Sequence, residues 1–277
     1  MPGQEENRPA QQPGEGATVE QPADTAAREG ADIGGAGAVA AATTPEARGP
    51  VLIVAAHPDD PEFGLGATQA KYTAEGREVV IALITSGNEG GEDPTMSDED
   101  LMCQREEEQR RASAVLGVST IEFLRHLDGR VVNTLELRKE IVRLIRKYKP
   151  ETVFTHDPSN FFSEGHINHP DHRAVGHATL DAIFPGAGNP RSFRELLAEG
   201  LQPHKIKDAY LFFTPNANVW IDVTGFVEKK AEALAEHKSQ VKNPDGMKQR
   251  MVEGAARAGE PHGVGAAEGF RRIVFRR

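Results

Sequence analysis

The sequence has a single cysteine, Cys103, in 277 residues. That excludes a disulfide within the chain and any zinc site built from several thiolates, leaving His, Asp and Glu as metal ligands. No apolar run reaches membrane-spanning length, so no membrane span is expected. No basic segment followed by an apolar one opens the chain, so no secretory signal is read and a cytoplasmic location is expected. No basic block stands out either, and with a formal net charge of −10 a nucleic-acid partner is not expected. Residues 1–49 have almost no large apolar side chain. Built from Ala, Gly, Glu, Pro, Thr and Gln, they cannot offset their ordering entropy with buried surface and read as a disordered tail. Residues 50–277 supply enough apolar material, in a chain 38% hydrophobic and 27% charged, for one globular domain.

What is present within those residues is an alternation. Residues 51–56 form a continuous apolar run between Pro50 and His57, as in a strand buried on both faces. Residues 78–84, 120–124 and 152–155 repeat it. Helix-period stretches lie between them, at 67–75, 97–116 and 135–149. Ser97 heads the second with acidic residues behind it, an N-cap pattern, and Gly117 stops it. This order of strand and helix predicts a parallel α/β sheet. Pro170 opens a further helix, and the chain breaks at 184–190. Strands are expected at 209–213, 219–223 and 272–275 and a helix at 224–237, with a flexible Gly-rich stretch over 243–265.

Ligands of open parallel sheets bind beyond the carboxyl ends of the strands. There, directly after the first run, stands His57-Pro58-Asp59-Asp60. Residues three apart in a turn can converge, so His57 and Asp60 can offer nitrogen and oxygen to one metal at roughly 2.0–2.2 Å. Asp59 then points elsewhere, placed to take a proton from water as general base. Past the fourth strand stands His169-Pro170-Asp171-His172, with Pro at the first helical position and His169 as cap. One of these histidines completes a His-Asp-His set with an open position, the pattern of catalytic zinc. The other can polarise a carbonyl, and Asp171 can orient an imidazole.

These motifs make the chain resemble the PIG-L/LmbE-like family of zinc-dependent N-acetylglucosaminyl deacetylases. The resemblance runs from Val51 to about Gln240. It rests on Ala56-His57-Pro58-Asp59-Asp60 with Glu62 and Gly64, and on His169-Pro170-Asp171-His172-Arg173. Thr85-Ser86-Gly87, Arg105 with Glu108, Asp128-Gly129 and His237-Lys238-Ser239-Gln240 support it. Gly66-Ala67 stands where the family commonly has Gly-Gly. The resemblance implies a Rossmann-like, doubly wound, mostly parallel sheet with helices on both faces. It implies zinc on His57, Asp60 and His172, with another divalent ion such as Fe2+ as the alternative. It also makes Asp59 the general base, His169 a protonated group facing the carbonyl oxygen, and Asp171 the residue that tunes His169. The expected reaction removes an N-acetyl group from an N-acetylglucosamine-type sugar or its conjugate, a small-molecule partner; a homo-oligomer is left open. The alternatives are an amidase acting on a thiol-sugar conjugate and a catalytically silent sugar-binding module.

Arg105 is carried as a candidate substrate anchor against the plainer reading of a solvated helix pair with Glu108 three residues on. His156 and His166 read as loop histidines that can touch substrate, and His237 as a cation at a helix C-terminus. Gly64-Leu65-Gly66 resembles the start of a dinucleotide-binding fingerprint, but its sixth position is Gln69. The neighbouring carboxylates would repel a pyrophosphate, which argues against a nicotinamide enzyme.

Overall fold

The computed structural model describes residues 49–275 apart from Glu164. The expected tail therefore lies outside the described residues except for Gly49. Strands β1 (Val51–Ala55), β2 (Val79–Thr85), β3 (Thr120–His126) and β4 (Thr152–His156) fall where the apolar runs lie. A short antiparallel hairpin of β5 (Phe162–Ser163) and β6 (His166–Ile167) follows. Then come β7 (Asp208–Phe212), β8 (Val219–Asp222) and β9 (Ala267–Val274). The main sheet has the order β3-β2-β1-β4-β7-β9-β8. The first five strands are parallel, and β9 pairs antiparallel with both β7 and β8. Val54 sits in register with Ala82 on one side and Thr155 on the other. The strand order thus reverses direction between β1 and β4. A crevice opens at such a switch point, beyond the strands' carboxyl ends.

The helices are α1 (Asp60–Ala74), α2 (Asp98–Val115), α3 (Leu135–Tyr148), α4 (Pro170–Asp181), α5 (Glu195–Ala198), α6 (Val227–Ala235) and α7 (Pro244–Gly259). They cover both faces of the sheet. Val51, Ile53 and Ala55 of β1 join one core with side chains of α1, α2 and α6, while Leu52, Val54 and Ala56 join a second with those of α3 and α4. This period-2 split explains the uninterrupted apolar runs: both faces of each central strand are buried. Ser97 caps α2 by accepting the Asp100 N–H at 3.2 Å, and Thr134 caps α3 by accepting that of Leu137 at 3.2 Å. Among the described residues no helix is long and apolar enough to cross a membrane.

Two expectations need correction. Helix α1 starts at Asp60, seven residues before the expected 67, and breaks at Leu65 (φ −153°, ψ 29°). Beyond the break Glu268 of β9 accepts the N–H groups of Ala67 at 3.3 Å and Thr68 at 2.8 Å, capping the regular segment that the sequence pattern exposes. Residues 243–265 are not a flexible stretch. Asn243 caps α7 by accepting the Gly246 N–H at 2.9 Å, Met247 is buried, and Met251, Val252 and Ala255 pack on the first core. Gly246 and Gly254 weaken the helical signal there, and tertiary burial overrides it. The strand expected at 272–275 belongs to the longer β9, which pairs with both its neighbours.

Candidate active site

The turn after β1 delivers its carboxylates in opposite directions. Asp60 points inward, and its carboxylate is the hub of an imidazole cluster. Oδ2 lies 3.2 Å from His57 Nδ1 and 3.3 Å from His156 Nε2, and Oδ1 lies 3.1 Å from His172 Nε2. The His57 backbone N–H donates to Oδ2 at 2.8 Å, closing the turn. His156 is the last residue of β4, buried, and its ring stacks on His172 with centroids 4.1 Å apart.

The protons on these rings can be assigned from their other partners. His172 Nδ1 is 3.0 Å from Asn168 Oδ1, and the Asn168 amide nitrogen donates to the Asn160 carbonyl at 2.8 Å. Asn168 therefore accepts from His172, which leaves Nε2 bare toward Asp60. His156 Nε2 accepts the Ala56 N–H at 3.1 Å, so it carries no proton and its lone pair is engaged by that N–H. His57 Nε2 faces the carboxylates of Asp128 at 3.0 Å and Asp171 at 3.4 Å, so it carries a proton; without a metal the Nδ1 beside Asp60 carries one too, and a bound cation would take its place. Three imidazole nitrogens and a carboxylate converge, an arrangement that calls for positive charge between them. Burial opposes a charged His57, but hydrogen bonds to Asp128, Asp171 and Asp60 push its pKa up to about 12. Burial and the neighbouring His172 push His156 down to about 3. Burial also opposes ionisation of Asp60, yet His172 and His156 hold its carboxyl well below the usual range.

Among the described residues three groups of donor atoms converge within 4.8 Å: Asp60, His156 and His172; His57, His169 and His172; and His57, Asp128, His169 and Asp171. The expected trio of His57, Asp60 and His172 straddles the first two. Two ligands ~2.1 Å from a tetrahedral metal lie roughly 3.4 Å apart. The Asp60 distances of 3.2 Å to His57 and 3.1 Å to His172 are near that value, and the 3.3 Å to His156 meets it equally, so Asp60 with these three imidazoles could hold a metal ion.

Asp59 faces away from that cluster. Its φ of +92° lies in the left-handed region, a conformation that costs an L residue on the order of 1–3 kcal/mol. Its carboxylate lies 3.4 Å from Arg105 Nη2. Burial, and then the Asp60 charge, raise its pKa to about 6 against the pull of Arg105. That value suits a group that takes up a proton near neutrality.

His169 caps α4, its Nδ1 accepting the Asp171 N–H at 3.3 Å, and its ring meets His57 edge-on with centroids 4.6 Å apart. Partial burial and a charged His57 lower its pKa, against the expectation of a protonated ring. The Asp171 carboxylate faces His57 rather than hydrogen-bonding the His169 ring, and accepts the N–H groups of Gly129 at 2.8 Å and Val131 at 3.2 Å.

Arg105 is buried beneath the loop after β2 and does not pair with Glu108. It donates to the carbonyls of Gly87 at 3.0 Å and Pro58 at 2.9 Å. A Cβ on Gly87 would sit 2.2 Å from its guanidinium, so only glycine lets this loop lie so close. Glu108 instead accepts from Ser239. His237 is fully buried 3.3 Å from Glu62, where a helix-end cation was expected, and His166 is exposed on β6. Asn168 and Gln109 are site residues that the sequence leaves without a role, Asp128 enters only as a motif residue, and His156, expected in a loop and able to touch substrate, instead ends β4. For His156 a signal existed, since it ends the strand beside β1.

The PIG-L pattern, described as GlcNAc-PI de-N-acetylase, matches residues 52–183. The diacetylchitobiose deacetylase of Thermococcus kodakarensis is 39% identical over 190 residues, covering 69% of this chain and 69% of that protein. This chain belongs to the PIG-L family. Another relative of this PIG-L protein is the 1D-myo-inositol 2-acetamido-2-deoxy-alpha-D-glucopyranoside deacetylase of Streptomyces scabiei, 29% identical over 255 residues, 69% of this chain and 76% of the relative. Among solved structures the N,N'-diacetylchitobiose deacetylase from Pyrococcus horikoshii superposes with a TM-score of 0.74 at 30% identity, covering 81% of this chain and 84% of that one. The α/β fold is that of PIG-L deacetylases, and the chain is a deacetylase, a hydrolase of an amide C–N bond.

Proposed function

We propose that this PIG-L deacetylase removes the acetyl group from an N-acetylglucosamine-type sugar, with zinc held by His57, Asp60 and His172 and Asp59 as general base. The observation that carries the reading is the convergence of three imidazole nitrogens on Asp60 while the adjacent Asp59 turns away. Zinc, when bound, supplies Lewis acidity and lowers the pKa of water to near neutrality. The remaining steps fall to side chains. Asp59 accepts the proton of the attacking water at its carboxylate. His169, with Nδ1 engaged by the Asp171 N–H, offers Nε2 to the substrate's carbonyl oxygen. Asp128 and Asp171 hold the His57 proton on Nε2, keeping Nδ1 free. The protonated Asp59 carboxyl then returns its proton to the departing amine. The amino-sugar assignment is supported by the relatives' names: diacetylchitobiose and an inositol glucosaminide differ beyond the sugar but share an acetamido glucose unit.

A panel of N-acetyl amino sugars, free, lipid-linked and thiol-linked, assayed for acetate release by the metal-loaded protein tests this. Release is expected from acetamido sugars and lost with chelator; Asp59→Asn should lower turnover by ~10²–10⁴ with metal retained. His172→Ala should strip the metal, and His169→Ala should keep it while losing turnover. The reverse pattern would exchange the two roles, and a fully active Asp59→Asn enzyme would remove Asp59 as base.

A further inference from the structure

Helix α2 reaches the Asp59 turn at two points one helical turn apart. Arg105 Nη2 donates to the Pro58 carbonyl at 2.9 Å, and the Asp59 N–H donates to Gln109 Oε1 at 3.0 Å. Both polar atoms belong to the peptide unit that joins Pro58 to Asp59, so that unit is gripped at its C=O and its N–H alike. The residue it leads into has φ +92° and ψ −31°, a conformation that persists only where the surroundings impose it.

Gln109 is fully buried and has no freedom to turn its amide over. Its Nε2 donates to Glu62 Oε1 at 2.8 Å and to Ser113 Oγ at 3.0 Å. The other oxygen of Glu62 lies 3.3 Å from His237 Nε2. A carboxylate only accepts, so Glu62 fixes the nitrogen of Gln109 on its own side and leaves the oxygen facing Asp59. A Gln109 amide turned the other way would set two donors against each other at the Asp59 N–H. The chain of contacts from His237 through Glu62 and Gln109 therefore ends on the backbone of one residue.

We infer that Gln109 is a positioning residue for the general base: its amide oxygen, oriented by Glu62, holds the Asp59 backbone in the left-handed conformation that separates the Asp59 carboxylate from Asp60. This rests on Asp59 being the base, as proposed above. Gln109 acts only through Asp59. Losing its oxygen frees the peptide to rotate, and a shift of ~1 Å at the carboxylate is enough to cost ~100-fold in turnover. Substrate affinity and metal content are untouched.

The test compares metal-loaded full-length chains carrying Gln109→Leu, which loses the acceptor, and Gln109→Glu combined with Glu62→Gln, which keeps an acceptor for the Asp59 N–H and a donor between the two side chains. Gln109→Leu should lose ~100-fold in kcat with KM and metal content near those of the parent, and the exchanged pair should retain most of its kcat. In an Asp59→Asn background, Gln109→Leu should cost nothing further, because the carboxylate it positions is gone. If the Leu variant fails to fold, Gln109→Met replaces it. An unchanged kcat per metal-loaded chain overturns the inference, as does equal loss in Gln109→Leu and in the exchanged pair or an undiminished loss in the Asp59→Asn background. An active Asp59→Asn enzyme overturns the base assignment itself. An inactive Asp59→Asn beside a fully active Gln109→Leu overturns only the role of Gln109.

Discussion

Asn168→Ala is the most direct test of how the metal site is held. Asn168 is 5% exposed and immediately precedes the second motif. Its oxygen accepts from His172 Nδ1 at 3.0 Å and its nitrogen donates to the Asn160 carbonyl at 2.8 Å. The first bond fixes which His172 nitrogen faces Asp60; the second fixes which end of the amide faces His172. Truncation removes both, so the ring can rotate or carry its proton on Nε2, the atom needed for the metal. Losing such a partner typically costs 10- to 100-fold in metal affinity, or about 1.4–2.7 kcal/mol. The unpaired Asn160 carbonyl adds a stability loss of about 1 kcal/mol that is present without metal. The two contributions separate experimentally. A zinc titration against a competing chelator reads the first, and the melting temperature of the metal-stripped protein reads the second. Asn168→Asp keeps an acceptor for Nδ1 and should keep most of the affinity. Zinc affinity in Asn168→Ala equal to that of the parent would refute the tautomer assignment, and with it the fit of His172 as a ligand.

Two further outcomes follow from packing and charge. On α4, a Cβ at Gly176 would lie 2.5 Å from the His156 carbonyl oxygen. Gly176→Ala must therefore push α4, which carries His172, away from β4, lowering stability by about 1–3 kcal/mol in calorimetry and weakening metal binding; an unchanged melting temperature would show the contact to be slack. Burial disfavours a charged His237, but Glu62 overrides it and raises its pKa above the ordinary 6.5. A group raised by folding gives its full stabilisation below its unfolded value and loses it as pH climbs through the folded one. The stability deficit of His237→Gln, followed by denaturant melts, should therefore be largest below about pH 6 and shrink as pH rises above it; a deficit that grows with pH contradicts the pairing.

The parts of this site legible in the sequence are those carried by contiguous residues at strand ends. His57, Asp59 and Asp60 leave one strand together, His169, Asp171 and His172 open one helix, and the sheet rule brings both to a single crevice. The residues that hold them were not legible because each comes alone from a distant segment. Gln109 meets Asp59 across 50 positions, and Asp128 meets His57 across 71, with only the folded backbone to relate them. The same holds for the fold. The buried parallel strands announce themselves, whereas α7 carries three glycines and is helical because its Met247 face is covered. Arg105 is the instructive miss: a helix-surface pattern with Glu108 suggests a solvated pair, but two glycines in the facing loop, Gly87 and Gly90, let backbone settle onto the guanidinium.

Asp59 and Asp60 are one residue type in adjacent positions, and their chemistry is divided by a single torsion. The positive φ at Asp59 points its carboxylate toward Arg105 and leaves Asp60 among the imidazoles. Asp60 is then ionised throughout the working range, as a ligand must be. That fixed negative charge is itself a cause of the raised Asp59 pKa of about 6, so Asp60, proposed as ligand, tunes Asp59, proposed as base. Neighbouring titratable groups driven apart by their surroundings mark a division of roles. Replacing Asp60 would therefore do more than remove a ligand: it would lower the Asp59 pKa and weaken its ability to take up a proton. Asp60→Asn thus combines two defects, and restored metal occupancy at high zinc concentration should recover only part of the lost turnover. Full recovery would show that Asp60 acts on the metal alone.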